Sequence, residues 1–293
     1  MDLQTMRLFC EVVRTRSFVH GARAMEVTQS AASQALARLE EHLGTLLIDR
    51  SHRPFRLTPN GGKFYGGIRA LLRRYDNMTN EVRALASQVG GTVSVAAIYS
   101  VGMHAMSRHI QRFMLRYPQA KVRLEYLRPN VVIESVLSHD VDFGIISFPS
   151  ASPALAVIPL RTEKMVFVCS PTHRLASRRG IEAQDLSRED IVSFERDLPI
   201  RQAIDRALRK RQVRINVVME FDNIENIKQA VESNVGAAIL PEPTVLKESE
   251  SGSLVALPLA LAELVRPIGI IHRKNHYLSP VAVKFIEDLK QPG

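Results

Sequence analysis

The residues of this chain most suited to chemistry are the polar side chains of segment 28–40. Apolar residues recur there at spacings of three and four, so the segment predicts an amphipathic helix that Thr28 would cap. Its other face carries amides, hydroxyls and one arginine. Because amides pair bidentately with adenine, and arginine pairs with guanine or phosphate, this face suits the major groove of DNA. An ordinary amphipathic surface helix is the alternative, and this segment alone does not separate the two.

Two further helices are predicted upstream of this segment. Apolar positions between Leu3 and Val13 form one helical face, and Ser17 precedes a second, short helix that runs to about Met25. Only residues 26–27 separate the second helix from the third. Three short helices, of which the last two are closely joined, are typical of a helix-turn-helix.

A basic hairpin is predicted downstream. Two short strand candidates, 45–50 and 55–58, flank a turn, and the hairpin carries Arg50, Arg53 and Arg56. Arginine on such a hairpin can reach phosphate or the narrow minor groove of DNA. A solvated basic turn is the alternative.

Residues 1–60 resemble the winged helix-turn-helix domain of LysR-type transcriptional regulators. The matching positions are Phe9, Val13, Ser17, Phe18, Ala22, Thr28 through Ser33, Leu39, Glu40, Leu43, Gly44, Leu47, Arg50 and Leu57 through Pro59. Ser30 stands where the family usually has proline, and Gln34 stands where it commonly has a basic residue. Proline at a first helical turn is favourable but not required, so we expect little loss from the first change. The second should change which base is read.

The resemblance implies that Gln29, Ser33 and Gln34 face DNA, and the helical pattern independently places them on the polar face. The expected partner is double-stranded promoter DNA. The predicted DNA-binding residues are Thr28, Gln29, Ser30, Ser33, Gln34, Arg38, Arg50 and Arg53.

A heptad pattern follows the hairpin. The spacing alternates between four and three without a break, and the positions are Phe64, Ile68, Leu71, Tyr75, Met78, Val82, Leu85 and Val89. This pattern predicts a coiled coil over 61–89, with Thr58 and Pro59 at the helix start. The alternative is an amphipathic helix lying on its own domain. The resemblance implies a linker helix that pairs two subunits, so we expect a homodimer or homotetramer that binds an interrupted palindrome.

Strands and helices alternate beyond Gly91, which predicts an α/β architecture with a parallel-type sheet over 90–293. This part resembles the LysR effector domain, which is similar to periplasmic binding proteins. The matching features are Asp142 through Ile145, Val166 through Val168, Pro171, His173 through Leu175, and Val235 through Pro241. The resemblance implies one lobe of about 91–161 and 267–293 and another of about 162–266, with crossovers near 160–161 and 265–266.

A small-molecule effector is expected in the cleft between the lobes, where strands end and helices begin. Ser100 sits at such a helix start, and free N–H groups there suit a carboxylate, sulfate or phosphate, so we favour an anionic effector. Helix capping or loop structure is the alternative for each residue. The candidates are Ser100, Val101, Gly102, Pro129, Asn130, Ser147, Phe148, Phe194, Phe221, Asp222 and Asn223.

Composition and motifs argue against other classes of protein. The net charge is +9, but residues 1–60 hold eight arginines against six acidic residues, so the motif rather than the charge supports DNA binding. The pairs His104/His109 and His272/His276 have no convincing third metal ligand, and no nucleotide-binding or nucleophile motif occurs. We expect no enzyme activity, no metal and no cofactor.

The same composition predicts a soluble cytoplasmic protein. No apolar run is long enough for a membrane span, and Cys10 and Cys169 are expected to be buried free thiols. The sequence therefore predicts a LysR-type regulator whose effector changes lobe closure and DNA geometry, with RNA polymerase as a further partner by resemblance. A stand-alone small-molecule binding protein is the alternative, but it leaves residues 1–60 without a purpose.

Overall fold

The computed structural model describes residues 2–84, 90–101, 106–274 and 277–291, without the side chains of residues 77 and 80–84. These residues form two compact units, one spanning residues 1–88 and the other most of residues 89–293. Each unit has its own hydrophobic interior.

The first unit begins with three capped helices: α1 (Leu3–Thr15), α2 (Phe18–Ala24) and α3 (Gln29–Leu43). The side chains of Asp2, Ser17 and Thr28 each accept a hydrogen bond from a backbone N–H of the first turn that follows. A Cβ at Gly21 would lie 2.6 Å from the Cα of Val12, so only glycine allows α1 and α2 to pack this closely. The core that these helices share centres on Phe9, Val12, Ala32, Leu36 and Leu39.

The hairpin is shorter than the sequence predicts. Strand β1 (Ile48–Asp49) pairs antiparallel with β2 (Arg56–Leu57), and each contains two residues where four to six were expected. The reason is that the backbone N–H groups of Leu47 and Ile48 donate to the Glu40 side chain instead of to another strand. The Thr58 hydroxyl donates to the Leu46 carbonyl at 2.7 Å. The same hydroxyl accepts from the Gly61 N–H at 2.9 Å and so caps the next helix.

Helix α4 (Pro59–Ala84) contains most of the heptad pattern. Ile68 and Leu72 are buried and pack with Met6 of α1, and Phe64 is half-buried in the same cluster. By contrast, Leu71, Tyr75 and Met78 are 48%, 39% and 54% exposed. The prediction that the whole seam faces a partner helix is therefore wrong for its first part, because α1 already covers it. Leu85 and Val89 lie outside the described residues, as does the side chain of Val82.

The first lobe of the second unit contains a mixed sheet. Strands β3 (Gly91–Ala97), β4 (Ala120–Tyr126) and β5 (Phe143–Ser147) run parallel, whereas β6 (Leu155–Cys169) and β11 (Val265–Arg273) add antiparallel pairs, in the order β6–β11–β5–β3–β4. The sequence predicted a parallel-type sheet. The difference arises because the two long strands pass between the lobes in opposite directions. Its helices are α5 (Tyr99–Val101), α6 (Ser107–Arg116), α7 (Pro129–Leu137) and α11 (Pro280–Leu289).

The second lobe uses the other half of β6, which pairs antiparallel with β9 (Ala238–Pro241) and β10 (Val255–Pro258). Strands β7 (Asp190–Phe194) and β8 (Asn216–Phe221) form a separate parallel pair. The helices of this lobe are α8 (Pro199–Lys210), α9 (Ile224–Glu232) and α10 (Leu246–Ser251), with short 3₁₀ helices at Ala183–Arg188 and Glu242–Thr244. The two lobes have separate hydrophobic cores; β6 contributes to both, whereas β11 contributes to the core of the first lobe.

Both cysteines are free thiols, Cys169 buried and Cys10 half-buried. Burial raises the pKa of Cys10 to about 12 and that of Cys169 to about 11, so neither is a thiolate at neutral pH. Within the described residues, no helix is long and apolar enough to cross a membrane. His109 contacts the Asp288 carboxylate at 3.4 Å, whereas His104 and His276 lie outside the described residues.

Candidate nucleic-acid interface and ligand cleft

One face of α3 is polar and open to solvent. Gln29, Ser30, Gln34 and Arg38 are exposed, and Ser33 is half-buried beside them. The opposite face holds Ala32 and Leu36, which are fully buried. Burial of this apolar face fixes the rotation of the helix, so the amides and the guanidinium point outward as the sequence predicts. Such a face presents the donors and acceptors that base edges in the major groove can pair with.

Thr28 has a structural role at the start of this helix. Its hydroxyl accepts from the Ala31 N–H at 3.2 Å and lies 3.0 Å from the hydroxyl of Ser30. The cap satisfies one of the free N–H groups of the first turn. Thr28 and Ser30 are both exposed, so Thr28 holds the helix end and remains accessible to solvent.

Glu40 connects α3 to the hairpin, a role that the sequence analysis did not assign. Its side chain is buried, and one carboxylate oxygen accepts from the backbone N–H groups of Leu47 at 2.8 Å and Ile48 at 3.0 Å. The other oxygen accepts from Arg50 at 3.2 Å. A buried carboxylate with these charge-assisted bonds fixes the hairpin relative to the polar face of α3.

The arginines of the hairpin differ in their surroundings. Arg50 bonds Glu40, and its guanidinium stacks over the Phe18 ring at 5.1 Å from the ring centre. Arg53 and Arg56 are exposed. Arg50 is therefore oriented by its own unit while its side chain stays 47% exposed, and the predicted DNA contacts of Arg50 and Arg53 both stay predictions.

A cavity of about 40 Å³ lies between the two lobes of the second unit. Strand ends and helix starts of both lobes line it. The lining residues are Ile98, Tyr99, Ser100, Leu127, Arg128, Pro129, Ser147, Phe194, Leu198, Pro199, Ile200, Asp222, Ile224 and Arg266. A water molecule needs about 10–15 Å³ of such space, so this cavity admits only a few waters while the lobes are in this arrangement.

Arg266 lies at the inner end of this cavity and is only 1% exposed. Its Nε donates to Glu163 Oε2 at 2.8 Å, and its Nη1 donates to the Ser100 hydroxyl at 2.9 Å. Glu163 is also buried and accepts from Arg161 at 2.8 Å. Two guanidinium groups thus share one carboxylate. Burial lowers the pKa of Arg266 from its ordinary value and Glu163 opposes this, but arginine stays protonated in proteins, so the inner end of the cavity is positive.

Part of the Arg266 guanidinium is not used by these contacts. Its Nη2 is buried, lies 2.6 Å from Glu163 Oε2, and has no hydrogen-bond partner of good geometry in the part of the chain that the structure describes. The Nη2 therefore has an ion-pair partner but no well-aligned acceptor, and an acceptor that enters the cavity would supply one. The arrangement can therefore hold an anion between Arg266 and Ser100.

The outer end of the cavity carries charges of both signs. Arg128 of the first lobe lies 2.5 Å from Glu195 of the second, and 3.6 Å from both Asp197 and Asp222. The bond to Glu195 raises the pKa of Arg128 from its ordinary value.

Two family models match this chain. Residues 3–62 match "Bacterial regulatory helix-turn-helix protein, lysR family", and residues 86–292 match "LysR substrate binding domain". The chain belongs to the LysR family of transcriptional regulators. The match over 3–62 leaves no support for a stand-alone binding protein without a DNA-binding domain.

Relatives in the LysR family match along the whole chain. The uncharacterized HTH-type transcriptional regulator YybE of Bacillus subtilis (strain 168) is 26% identical over 285 residues, which are 97% of each chain. Full-length CbnR, solved with its target DNA, has a TM-score of 0.72 at 18% identity and covers 99% of each chain. The effector binding domain of QuiR, solved with shikimate, has a TM-score of 0.62 at 20% identity, over 68% of this chain and 95% of that domain. These two structures show that the fold is shared.

The LysR effector domain brings together some of the predicted ligand residues and separates others. Ser100, Pro129, Ser147, Phe194 and Asp222 line the cavity. Val101 is buried in the core of the first lobe, Phe148 and Phe221 pack on the core of the second, Asn130 is exposed on α7, and Asn223 caps α9. Gly102 lies outside the described residues. The candidates that do not line the cavity neighbour those that do in sequence, but the described ones have side chains that lie in a core, cap a helix or face solvent.

Sequence reasoning missed the two arginines of the LysR cleft. Arg266 and Arg128 both line the cavity, and neither was among the candidates. A signal for Arg266 existed, because it lies at a predicted crossover between the lobes, where a strand must pass the cleft. For Arg128, the available signal was its place directly before the predicted strand end at Pro129.

Proposed function

We propose that the exposed face of α3 reads promoter DNA and that the hairpin holds the adjacent phosphates. The exposure of Gln29, Gln34 and Arg38 on one helix face supports this, since these side chains can pair with base edges or phosphate. CbnR, which shares the fold, was solved with its target DNA. Gln34 would read a base, and Arg53 would contact phosphate.

The proposed assembly is a homodimer or homotetramer paired through α4. The observation that supports it is the exposed seam of Leu71, Tyr75 and Met78, three large apolar side chains that a partner helix would cover. A paired regulator would bind an interrupted palindrome, with one half-site for each helix-turn-helix. It would act in the cytoplasm and contact RNA polymerase at its promoters.

The proposed effector is a small anion bound between the lobes. The single observation that carries this proposal is the buried Arg266 guanidinium, with its Nη2 lacking a good partner among the described residues and its Nη1 on Ser100. QuiR, whose effector domain shares the fold, was solved with shikimate, which carries a carboxylate. The anion would bind Arg266 and Ser100, and its binding would change lobe closure and hence DNA geometry.

The experiment that tests the proposed function has two arms. Selection of DNA fragments from a randomised library by the full chain should recover an interrupted palindrome. Titration of the chain with a panel of small mono- and dicarboxylates, sulfate and phosphate should raise its melting temperature for at least one anion, because a ligand that binds only the native state stabilises it. Recovery of no preferred sequence, or the absence of a shift with every anion of the panel, would refute the respective half of the proposal.

A further inference from the structure

Among the described residues of the first lobe, Arg128 is the one charged side chain that contacts several carboxylates of the second lobe. It lies between β4 and α7, and its Nη2 is 2.5 Å from Glu195 Oε2 and 3.6 Å from Asp197 Oδ2. Its Nη1 is 3.6 Å from Asp222 Oδ2. Glu195 and Asp197 follow β7, and Asp222 follows β8, so a single guanidinium spans two loops of the opposite lobe.

These contacts lie at the cavity. Arg128 and Asp222 are both among the lining residues, and the cavity volume is about 40 Å³. Ligand pockets for metabolites are commonly about 300–1,000 Å³, so a metabolite enters only if the lobes separate. Separation of the lobes moves Arg128 away from the loops after β7 and β8 and breaks all of these contacts.

We propose that Arg128 is an electrostatic latch that holds the two lobes closed and sets how readily the cleft opens. This inference rests on the proposed role of the cleft as the effector site. It adds a regulatory element at the outer end, whereas the proposed anion site lies at the inner end with Arg266. The latch makes cleft opening sensitive to ionic strength, because its side chains are partly exposed and salt screens them.

The exposure of the Arg128 ion pairs determines how strongly their removal should affect cleft opening. The Arg128 and Glu195 side chains are 39% and 40% exposed, and exposed ion pairs contribute little individually. Removal of the guanidinium charge should therefore raise the ratio of open to closed cleft by about two- to fivefold. Arg128→Lys should retain much of the closure, since a point charge still faces the three carboxylates but cannot bridge two loops with one planar group.

The test is hydrogen–deuterium exchange on the full chain without any ligand. Peptides that cover 97–101 and 194–200 report on the two walls of the cleft. In Arg128→Gln, both peptides should exchange about two- to fivefold faster than in the wild type at low salt. Raising the salt from about 0.05 M to about 0.5 M should speed exchange in the wild type and have little effect in the variant.

The matched control is Arg123→Gln. Arg123 pairs with Glu125 at 2.6 Å on the same strand of the first lobe, and the exposures of 49% and 40% are close to those of the latch. This variant should leave exchange at both walls unchanged, and peptides from the two lobe cores should exchange equally slowly in all variants. Equal effects of the two substitutions would overturn the latch, and so would faster exchange in 194–200 alone, which would show that Arg128 only holds a local loop.

Because the test uses no effector, its outcome is independent of the anion site. If the exchange experiment refutes the latch but an anion still raises the melting temperature, the proposed function stays intact. If the exchange experiment supports the latch but no anion raises the melting temperature, the anion site is refuted and the latch is kept.

Discussion

At the scale of single residues, the exposed amides of α3 are the groups proposed to read base edges. Gln34→Ala should lose preference at one base pair of each half-site, because the alanine side chain cannot pair with a base edge. The expected cost is about 1–3 kcal/mol at the preferred base and much less at other bases. Binding-site selection with the wild type and the variant measures this directly, and an unchanged selected motif would show that Gln34 does not read DNA.

The comparison variant is Arg53→Ala on the exposed hairpin. It should weaken binding to all sequences about equally and reduce the dependence of affinity on salt by roughly one counterion, since a phosphate contact carries no sequence information. A change in the selected motif would instead place Arg53 at a base edge.

Glu40 should stabilise the first unit through its buried hydrogen bonds. Glu40→Gln replaces the carboxylate that accepts from the N–H groups of Leu47 and Ile48, and it leaves Arg50 without its charged partner. Hydrogen bonds to a charged group contribute about 1.5–3 kcal/mol, so we expect a loss of that order in the free energy of unfolding. Urea denaturation measures the loss. The control is Glu41→Gln, the exposed neighbour, which should change stability very little.

At the scale of elements, α4 has two different faces. Ile68 and Leu72 pack on its own unit, whereas Leu71, Tyr75 and Met78 are exposed. The double substitution Leu71→Asp and Met78→Asp places charge in the proposed seam. It should raise the dissociation constant of the dimer by about a hundredfold, because burial of an unpaired carboxylate costs several kcal/mol.

Sedimentation velocity at several protein concentrations measures the oligomer. Gly66→Asp serves as the control, because Gly66 is exposed on α4 away from the seam and a Cβ there meets no other atom within 4 Å. This variant should sediment as the wild type does. An unchanged oligomer in the double variant would show that the subunits pair through another surface.

At the scale of the whole molecule, the cleft and the DNA-binding helix should be coupled. Ser100→Ala removes a hydroxyl that lies 2.9 Å from Arg266 Nη1 at the cavity. Loss of one charge-assisted bond to an anion should weaken binding by about 1.5–3 kcal/mol, or roughly tenfold for each 1.4 kcal/mol. DNA affinity without the anion should stay the same, because α3 belongs to the other unit.

Titration of a transcription reporter with the anion found in the stabilisation panel measures both quantities. The dose response should shift to higher concentration with the same basal level. By linkage, bound promoter DNA should change the affinity for the anion by the same factor as the anion changes the affinity for DNA. Loss of basal DNA binding would show that Ser100 serves the fold, and an unshifted dose response would place the effector elsewhere.

Local patterns in the sequence were sufficient to predict the first three helices, the Thr28 cap and polar face of α3, the hairpin, and the alternation of strands and helices in the second unit. Amphipathic spacing and capping depend on residues within one or two turns of each other, so a single sequence contains them. The resemblance to the LysR family added the prediction that the heptad helix pairs two subunits and that the second unit divides into two lobes, and the match of both family models confirmed the family.

The contacts between distant segments were decided only by the tertiary structure. Arg266 contacts Ser100, which lies 166 positions away in the chain, and Glu163 contacts Arg266 because the two residues lie opposite each other where β6 pairs with β11. The burial of Ile68 against Met6 likewise depends on which helix packs against α4. A periodic pattern shows that a face is apolar or polar, but it does not show what the face meets, because that depends on where the chain returns and which surfaces are buried together.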